Sequence, residues 1–227
     1  MRLPTTAPLA ALALGLALAP AQAQQGPDIE KVNGSIHAEA GKAYGDLETV
    51  NGSIRIDANA RISDAETVNG SIRMERGAQA DNLETVNGSI RVEDGARMGG
   101  LATVNGSIFV GRGGRVGGGI ETVNGSIGIV DTDVAGGIET VNGNVTVGVG
   151  SHVRGGLRVQ KPRVNGLGIS IRKKRDPRIV IGPNARVDGP LAFERSVELW
   201  VHSTARTGPI TGATARRFST DVPPPRD

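Results

Sequence analysis

Residues 86–103 read VNGSIRVEDGARMGGLAT, and this unit decides the fold because the chain repeats it many times. The pentad Val-Asn-Gly-Ser-Ile recurs at a nearly constant interval, and its last copy has the variant form Val-Asn-Gly-Asn-Val. The copies begin at Val32, Val50, Val68, Val86, Val104, Val123 and Val141, so successive starts differ by 18, or once by 19. Repetition at a fixed short period indicates one structural unit stacked on itself.

The length and composition of the unit predict a β-solenoid. The unit is too short for a helical hairpin repeat, which needs about 33 residues, and it is rich in β-branched residues and glycine. Aliphatic residues alternate with an outward residue in Ile54-Arg55-Ile56, and a further aliphatic follows at Ile62. We therefore expect an all-β, single-stranded parallel β-solenoid of about ten coils, each with three short faces around a narrow core. The handedness of the coil stays open.

One segment of the unit does not fit a simple alternation. In Leu83-Glu84-Thr85-Val86 two apolar residues lie three positions apart, so a regular strand cannot direct both into the core. Burying Val86 by shifting the register would also bury the glutamate column that contains Glu84, and unpaired buried carboxylates are costly. A bulge or corner between the leucine and the valine is the expected solution. The arginine column that contains Arg91 is expected to offset part of the charge of the exposed glutamates.

The Asn-Gly pair of each coil has three interpretations. It can form a corner, because asparagine and glycine tolerate positive φ; its stacked amides can form a hydrogen-bonded ladder; and Asn-Gly-Ser is formally a glycosylation acceptor. The fixed place of the pair in every coil favours the corner and the ladder together. The candidate asparagines are Asn33, Asn51, Asn69, Asn87, Asn105, Asn124 and Asn142. The candidate glycines are Gly34, Gly52, Gly70, Gly88, Gly106, Gly125 and Gly143.

The repeat is regular over residues 32–150 and becomes irregular after them. Residues 151–212 are expected to form further coils, because stretches that begin at Ile181 and Val201 resemble each other and the regular unit. Charge crowding and a proline predict an exposed basic loop at 172–178. The proline-rich end predicts a disordered tail over 213–227.

The basic loop gives the chain an uneven charge. Residues 24–150 carry 10 basic and 17 acidic side chains, whereas residues 151–178 carry 9 basic and 1 acidic. The candidate anion-binding residues are Arg172, Lys173, Lys174, Arg175 and Arg178. They predict contact with an anionic envelope component, either lipid phosphate or an acidic polysaccharide, or with a second copy of the chain. A solvated loop is the alternative interpretation.

The N-terminal residues predict export. Residues 1–23 have the pattern of a secretory signal peptide: Arg2, an apolar run from Leu9 to Ala19, and a small-x-small site at Ala21-Gln22-Ala23. The run is shorter than the roughly 20 residues that span a bilayer, so no transmembrane segment is expected after cleavage. The mature chain would begin at Gln24, with residues 24–31 leading into the first repeat. Its expected location is periplasmic or extracellular.

The composition argues against several kinds of site. The chain has no cysteine, which excludes disulfides, zinc–thiolate sites and lipid anchoring through cysteine. It has no phosphate-binding loop or dinucleotide fingerprint, and its formal charge of +3 indicates no nucleic-acid partner.

Residues 179–192 resemble the hexapeptide repeats of left-handed β-helix acyltransferases, which implies a histidine base or zinc ligand. The chain offers only His37, His152 and His202, which lie on distant coils, so no catalytic residue, metal site or cofactor is expected.

The Thr-Val-Asn-Gly-Ser-Ile repeats over residues 32–145 resemble the bacterial exported β-strand-repeat proteins, an adhesin-like family of unknown function. They are more distantly similar to the bactofilins, which form polymers. The first resemblance implies a non-catalytic structural or adhesin-like binding module of the cell envelope. The alternatives are a self-assembling, bactofilin-like protein and, after it, a hexapeptide-repeat-type transferase.

Overall fold

The computed structural model describes residues 26–162 and 175–225, and within them the protein contains 25 strands and no helix. The strands are parallel and stack coil upon coil, and in the regular part each residue pairs with its equivalent in the next repeat. The prediction of a parallel β-solenoid is therefore confirmed. Ten strands on one face correspond to ten coils.

Each coil has three faces, named here in chain order and with strands numbered along the chain. The first face contains β1 (Ile29–Asn33), β3 (Leu47–Asn51), β5 (Asp64–Asn69), β7 (Gln79–Asn87), β9 (Arg97–Asn105), β12 (Ile120–Asn124), β15 (Ile138–Thr140), β18 (Leu157–Val159), β21 (Leu191–Phe193) and β24 (Ile210–Thr211). The second face contains β2 (Ile36–Ala38), β4 (Ile54–Ile56), β6 (Ile72–Met74), β8 (Ile90–Val92), β10 (Ile108–Val110), β13 (Ile127–Ile129), β16 (Val145–Val147), β19 (Arg178–Ile181), β22 (Glu198–His202) and β25 (Arg216–Phe218). The third face contains β11 (Arg115–Val116), β14 (Asp133–Val134), β17 (His152–Val153), β20 (Arg186–Val187) and β23 (Arg206–Thr207). The N-terminal ends of β7 and β9 also belong to the third face, so these two strands continue from the third face to the first.

The core is a narrow column of aliphatic side chains. On the second face Ile54 and Ile56 are fully buried and Arg55 between them is exposed, and this pattern repeats in the neighbouring coils. Identical or similar residues stack in register, so Ile72 lies between Ile54 and Ile90. Small buried alanines such as Ala60 complete the core where the coil turns. Because every coil buries the same few positions, the stability of each coil comes mainly from its two neighbours.

The irregular coils keep the same three faces. Val145 pairs with Ile179, a much larger separation than in the regular coils, because the chain has extra residues between β18 and β19. Most of these extra residues, 163–174, lie outside the described residues. Beyond them the structure pairs Ile181 with Val201, as the similarity of the two stretches predicted.

The C-terminal residues differ from the expected disordered tail. Residues 216–218 form β25, and Phe218 is buried at the end of the core, 7% exposed. Its ring meets those of Trp200 and His202 edge to face, with centroids 6.3 and 5.0 Å away. The apolar contact orders the segment and closes the last coil.

Candidate functional site

The first face carries two outward rows of side chains that run along the solenoid. One row consists of glutamates, and the other consists of valines two positions further along each strand. The valines are 39–68% exposed, although the aliphatic residue three positions earlier in each strand is buried in every one of these coils except the first. The glutamates are Glu30, Glu48, Glu66, Glu84, Glu121 and Glu139, with Ala102 in place of a glutamate between Glu84 and Glu121. The exposed valines are Val32, Val50, Val68, Val86, Val104 and Val123.

The valine faces solvent because a threonine takes the inward position. Leu83 and Thr85 are buried, and Glu84 and Val86 are exposed, so the strand alternates without the expected bulge. The hydroxyl of Thr85 donates a hydrogen bond of 2.9 Å to the carbonyl oxygen of Gly70, in the corner of the preceding coil. Four other coils make the same bond. The expectation that both apolar residues face the core was wrong, because threonine takes the inward position and donates to the partly buried carbonyl of the corner.

A groove of about 700 Å³ runs between and over these two rows along seven coils. It ends near Gln160, whose amide donates a 2.7 Å hydrogen bond to Glu139. In the part of the chain that the structure describes, Glu30, Glu48, Glu66, Glu84 and Glu121 form no ion pair. Partial desolvation, followed by the charges of Glu30 and Glu66, raises the pKa of Glu48 above its usual value. The groove therefore combines an uncovered apolar row with an acidic row in which these five carboxylates form no ion pair with the described residues.

The Asn-Gly corners lie beside this groove and make it regular. Each asparagine from Asn51 to Asn142 donates its side-chain amide to the side-chain oxygen of the asparagine one coil earlier, at 2.9–3.1 Å. At the far end of this ladder, the guanidinium of Arg195 donates to the side-chain oxygen of Asn142 at 2.6 Å. The ladder holds successive coils in register, so the outward rows keep a constant spacing.

The glycines of these corners are required by close approach more than by positive φ. Only Gly34 and Gly125 have φ in the left-handed region, at 110° and 155°. A Cβ on Gly88 would lie 1.8 Å from the carbonyl oxygen of Gly70, and Gly52, Gly70, Gly106, Gly125 and Gly143 have the same contact with the preceding corner, at 1.8–2.2 Å. The corner thus needs glycine because two backbones nearly touch.

The arginine column of the second face does not compensate the glutamates of the groove. Arg55 forms ion pairs with Asp57 and Glu75 at 2.8 and 3.0 Å, and Arg73 and Arg91 pair with Glu75 and Glu93 in the same way. The expectation that these arginines offset the glutamate column was therefore wrong. Their partners lie two positions further along the second face, so the acidic row of the first face keeps its charge.

The candidate anion-binding segment is only partly described. Arg172, Lys173 and Lys174 lie outside the described residues, and Arg175 is exposed. Arg178 is not an exposed cation. Its side chain is only 16% exposed, and it lies 3.8 Å from Glu198 and 5.8 Å from the centre of the Trp200 ring. Its role in the described structure is to join β19 to β22.

The histidines do not converge on one point. His37 lies 2.6 Å from Asp57, and His152 lies 2.7 Å from Asp188, each with a partner on the next coil. His202 is buried against Phe218 rather than on the surface. Within residues 26–162 and 175–225 no group of three potential ligands could hold a metal ion. The same residues contain no helix long and apolar enough to span a bilayer.

The groove was the feature that sequence reasoning missed. The signal was present, since simple alternation from the leucine of each coil already directs Thr inward and Val outward. Comparison of the chain with family models, curated proteins and solved structures gave no match.

Proposed function

We propose that the mature chain is a non-catalytic, exported β-solenoid that acts as a structural or adhesin-like binding module of the bacterial cell envelope. The observation that carries the proposal is the first-face groove with its uncovered valine row. Contiguous exposed apolar side chains on a soluble protein commonly mark an interaction site. The signal-like residues 1–23 and the resemblance to exported β-strand-repeat proteins support the envelope location.

The shape of the groove favours a long, thin ligand. Its rows repeat once per coil, so each coil offers a similar weak contact, and a ligand that extends along the axis collects several of them. Contacts that are weak singly become strong when one ligand links them. A solenoid that presents a repeated surface in this way acts as a binding scaffold.

A binding experiment with matched variants tests the proposal. Purified protein starting at Gln24 is sedimented with isolated envelope fractions, and the double variant Val68→Ser/Val86→Ser is compared with Val149→Ser. Val149 is 45% exposed but lies outside the groove, so it controls for the loss of an exposed valine. We expect the groove variant to lose most of its binding and the control to keep it, with unchanged circular dichroism. Equal binding by all three proteins, or no binding by the wild type, would contradict the proposal.

Self-assembly is a second candidate, favoured by the ends of the solenoid. Among the described residues, β1 and β25 each pair with one strand only, which leaves an edge at each end. Exposed edges of parallel sheets can pair with another chain. Size-exclusion chromatography and electron microscopy over a range of concentrations would separate the two candidates, because only end-to-end assembly gives concentration-dependent polymers.

A further inference from the structure

The groove runs across the strands and not along an edge of the sheet. It lies on the face of a sheet, where backbone groups pair between coils, so only the outward side chains are available to a ligand. A ligand in β-strand conformation would leave its own backbone donors and acceptors without protein partners there. A polyproline II segment needs no protein partners for its backbone, because that backbone makes no internal hydrogen bonds and is solvated by water.

The spacing of the rows selects the same conformation. Successive coils lie about 4.8 Å apart, so two coils span about 9.6 Å. Three residues of polyproline II rise about 9.3 Å, which matches two coils within a few tenths of an ångström. Alternate residues of a strand repeat at about 6.8 Å and an α-helix repeats at about 5.4 Å, and neither is close to one or two coils. A polyproline II ligand would therefore place every third side chain over every second coil.

The acidic row favours one of the two possible registers. A ligand that contacts every second coil can do so in two registers. The first register meets Glu48, Glu84 and Glu121, which form no ion pair among the described residues. The other register meets Glu30, Glu66, Ala102 and Glu139, so one of its four positions carries no carboxylate. Glu139 already accepts a hydrogen bond from Gln160.

The neighbours at both ends strengthen this choice. In the first coil, which belongs to the second register, Lys31 lies beside Glu30 and supplies a positive charge. After Glu139 the row continues with Arg158 on the next coil. Cationic side chains of a ligand are thus expected to bind most strongly at Glu48, Glu84 and Glu121, the glutamates of the first register.

The area of the groove favours a single chain over a folded partner. Seven coils span about 30 Å, and the two rows lie two residues or about 7 Å apart along each strand, so the strip that they define covers roughly 200 Å². A stable interface with a second copy or another globular protein buries about 800 Å² on each side. One extended chain fills the groove, whereas a folded partner would need contacts far outside it.

Resting on the proposed function of the groove, we infer that its ligand is a polyproline II peptide segment with a cationic residue at every third position. The cations lie over Glu48, Glu84 and Glu121, and the intervening apolar residues pack against the valine row. The structure thus assigns both a ligand conformation and a register to the site.

Synthetic peptides test the inference directly. Fluorescence anisotropy would measure the binding of labelled (Pro-Pro-Lys)5 to the protein that starts at Gln24. The controls are (Gly-Gly-Lys)5, which has the same charge spacing without the conformation, and a peptide of the same composition with its lysines grouped together. We expect (Pro-Pro-Lys)5 to bind about tenfold more tightly than either control, which corresponds to about 1.4 kcal/mol.

Two variants test the register. Glu84→Gln removes the central contact of the favoured register, and Glu66→Gln removes a carboxylate of the same row that lies in the other register. We expect Glu84→Gln to weaken (Pro-Pro-Lys)5 binding about fivefold or more, and Glu66→Gln to weaken it by less than about twofold through screened long-range attraction alone. Circular dichroism would verify that both variants fold.

The outcomes are distinct. Equal losses in the two variants would show general attraction of polycations and overturn the register. Tighter binding of an oligomer of glucosamine than of (Pro-Pro-Lys)5 would identify an amino polysaccharide and overturn the peptide assignment. If envelope fractions bind in a valine-dependent way but no lysine peptide does, the inference fails and the proposed function stands. If neither binds, both fail.

Discussion

Replacing Gly88 with alanine tests why glycine occupies the corners. The new Cβ would lie 1.8 Å from the carbonyl oxygen of Gly70, whereas real Cβ contacts stay above 3.0 Å, so the two corners must move apart. Three hydrogen bonds join the coils there, from Asn87, Thr85 and Ser89 to the preceding coil. Losing two or three of them costs about 2–4 kcal/mol. For a chain of this size, that lowers the melting temperature by roughly 10 °C.

The matched control is Gly95→Ala. Gly95 has φ of 70° but no atom within 4 Å of its Cβ position, so this variant carries conformational strain without a clash. Left-handed backbone costs an alanine about 1–2 kcal/mol. Urea unfolding followed by circular dichroism would give both free energies of unfolding. A loss for Gly95→Ala as large as that for Gly88→Ala would refute the argument that close approach dominates at the corner.

Three further predictions concern the hydroxyl bond, pH and the basic segment. Thr85→Val should destabilise the protein by about 1–3 kcal/mol because the Gly70 carbonyl loses its donor, and Thr85→Ser should retain more of the stability in urea unfolding. The raised pKa of Glu48 means that the folded protein holds this proton more tightly than the unfolded chain, so ionisation lowers stability as pH rises above the ordinary glutamate range. Glu48→Gln should therefore raise the melting temperature at pH 7 and leave it nearly unchanged at pH 3; an equal rise at both would contradict this. Changing all four cations of residues 172–175 to serine should abolish co-sedimentation with anionic vesicles at an ionic strength of about 0.01 M without altering the melting temperature. Identical sedimentation of wild type and variant would mean that the segment is only solvated.

The period of the sequence predicted most of the fold. Identical residues at a constant short interval stack in register only in a solenoid, and the Ile-x-Ile triplets predicted which residues of the second face are buried. The same logic predicted that the asparagines of successive coils meet, and the structure shows hydrogen bonds between their amides. Both inferences needed only the alternation of side chains along a strand and the constant length of the repeat, because the same residues recur at the same place in every coil.

The candidate site was harder to predict because its cause is not local. Alternation from Leu83 already places Thr85 inward and Val86 outward, but the bond that satisfies the inward hydroxyl reaches a carbonyl of the preceding coil, and that bond cannot be inferred from the strand alone. The C-terminal strand was missed for a similar reason. Phe218 follows two arginines in a polar stretch, and its packing on Trp200 and His202, together with the pairing of β25 with β22, orders the segment.

The asparagine ladder gives the solenoid an electrical direction. Every amide in it donates toward the N-terminal coil, so the side-chain dipoles add, with their negative end at the oxygen of Asn142. Arg195 lies at that end, 2.6 Å away, as a cation lies at the C-terminus of an α-helix. A row of neutral side chains thus acts as an extended dipole, with a positive charge fixed at its negative pole.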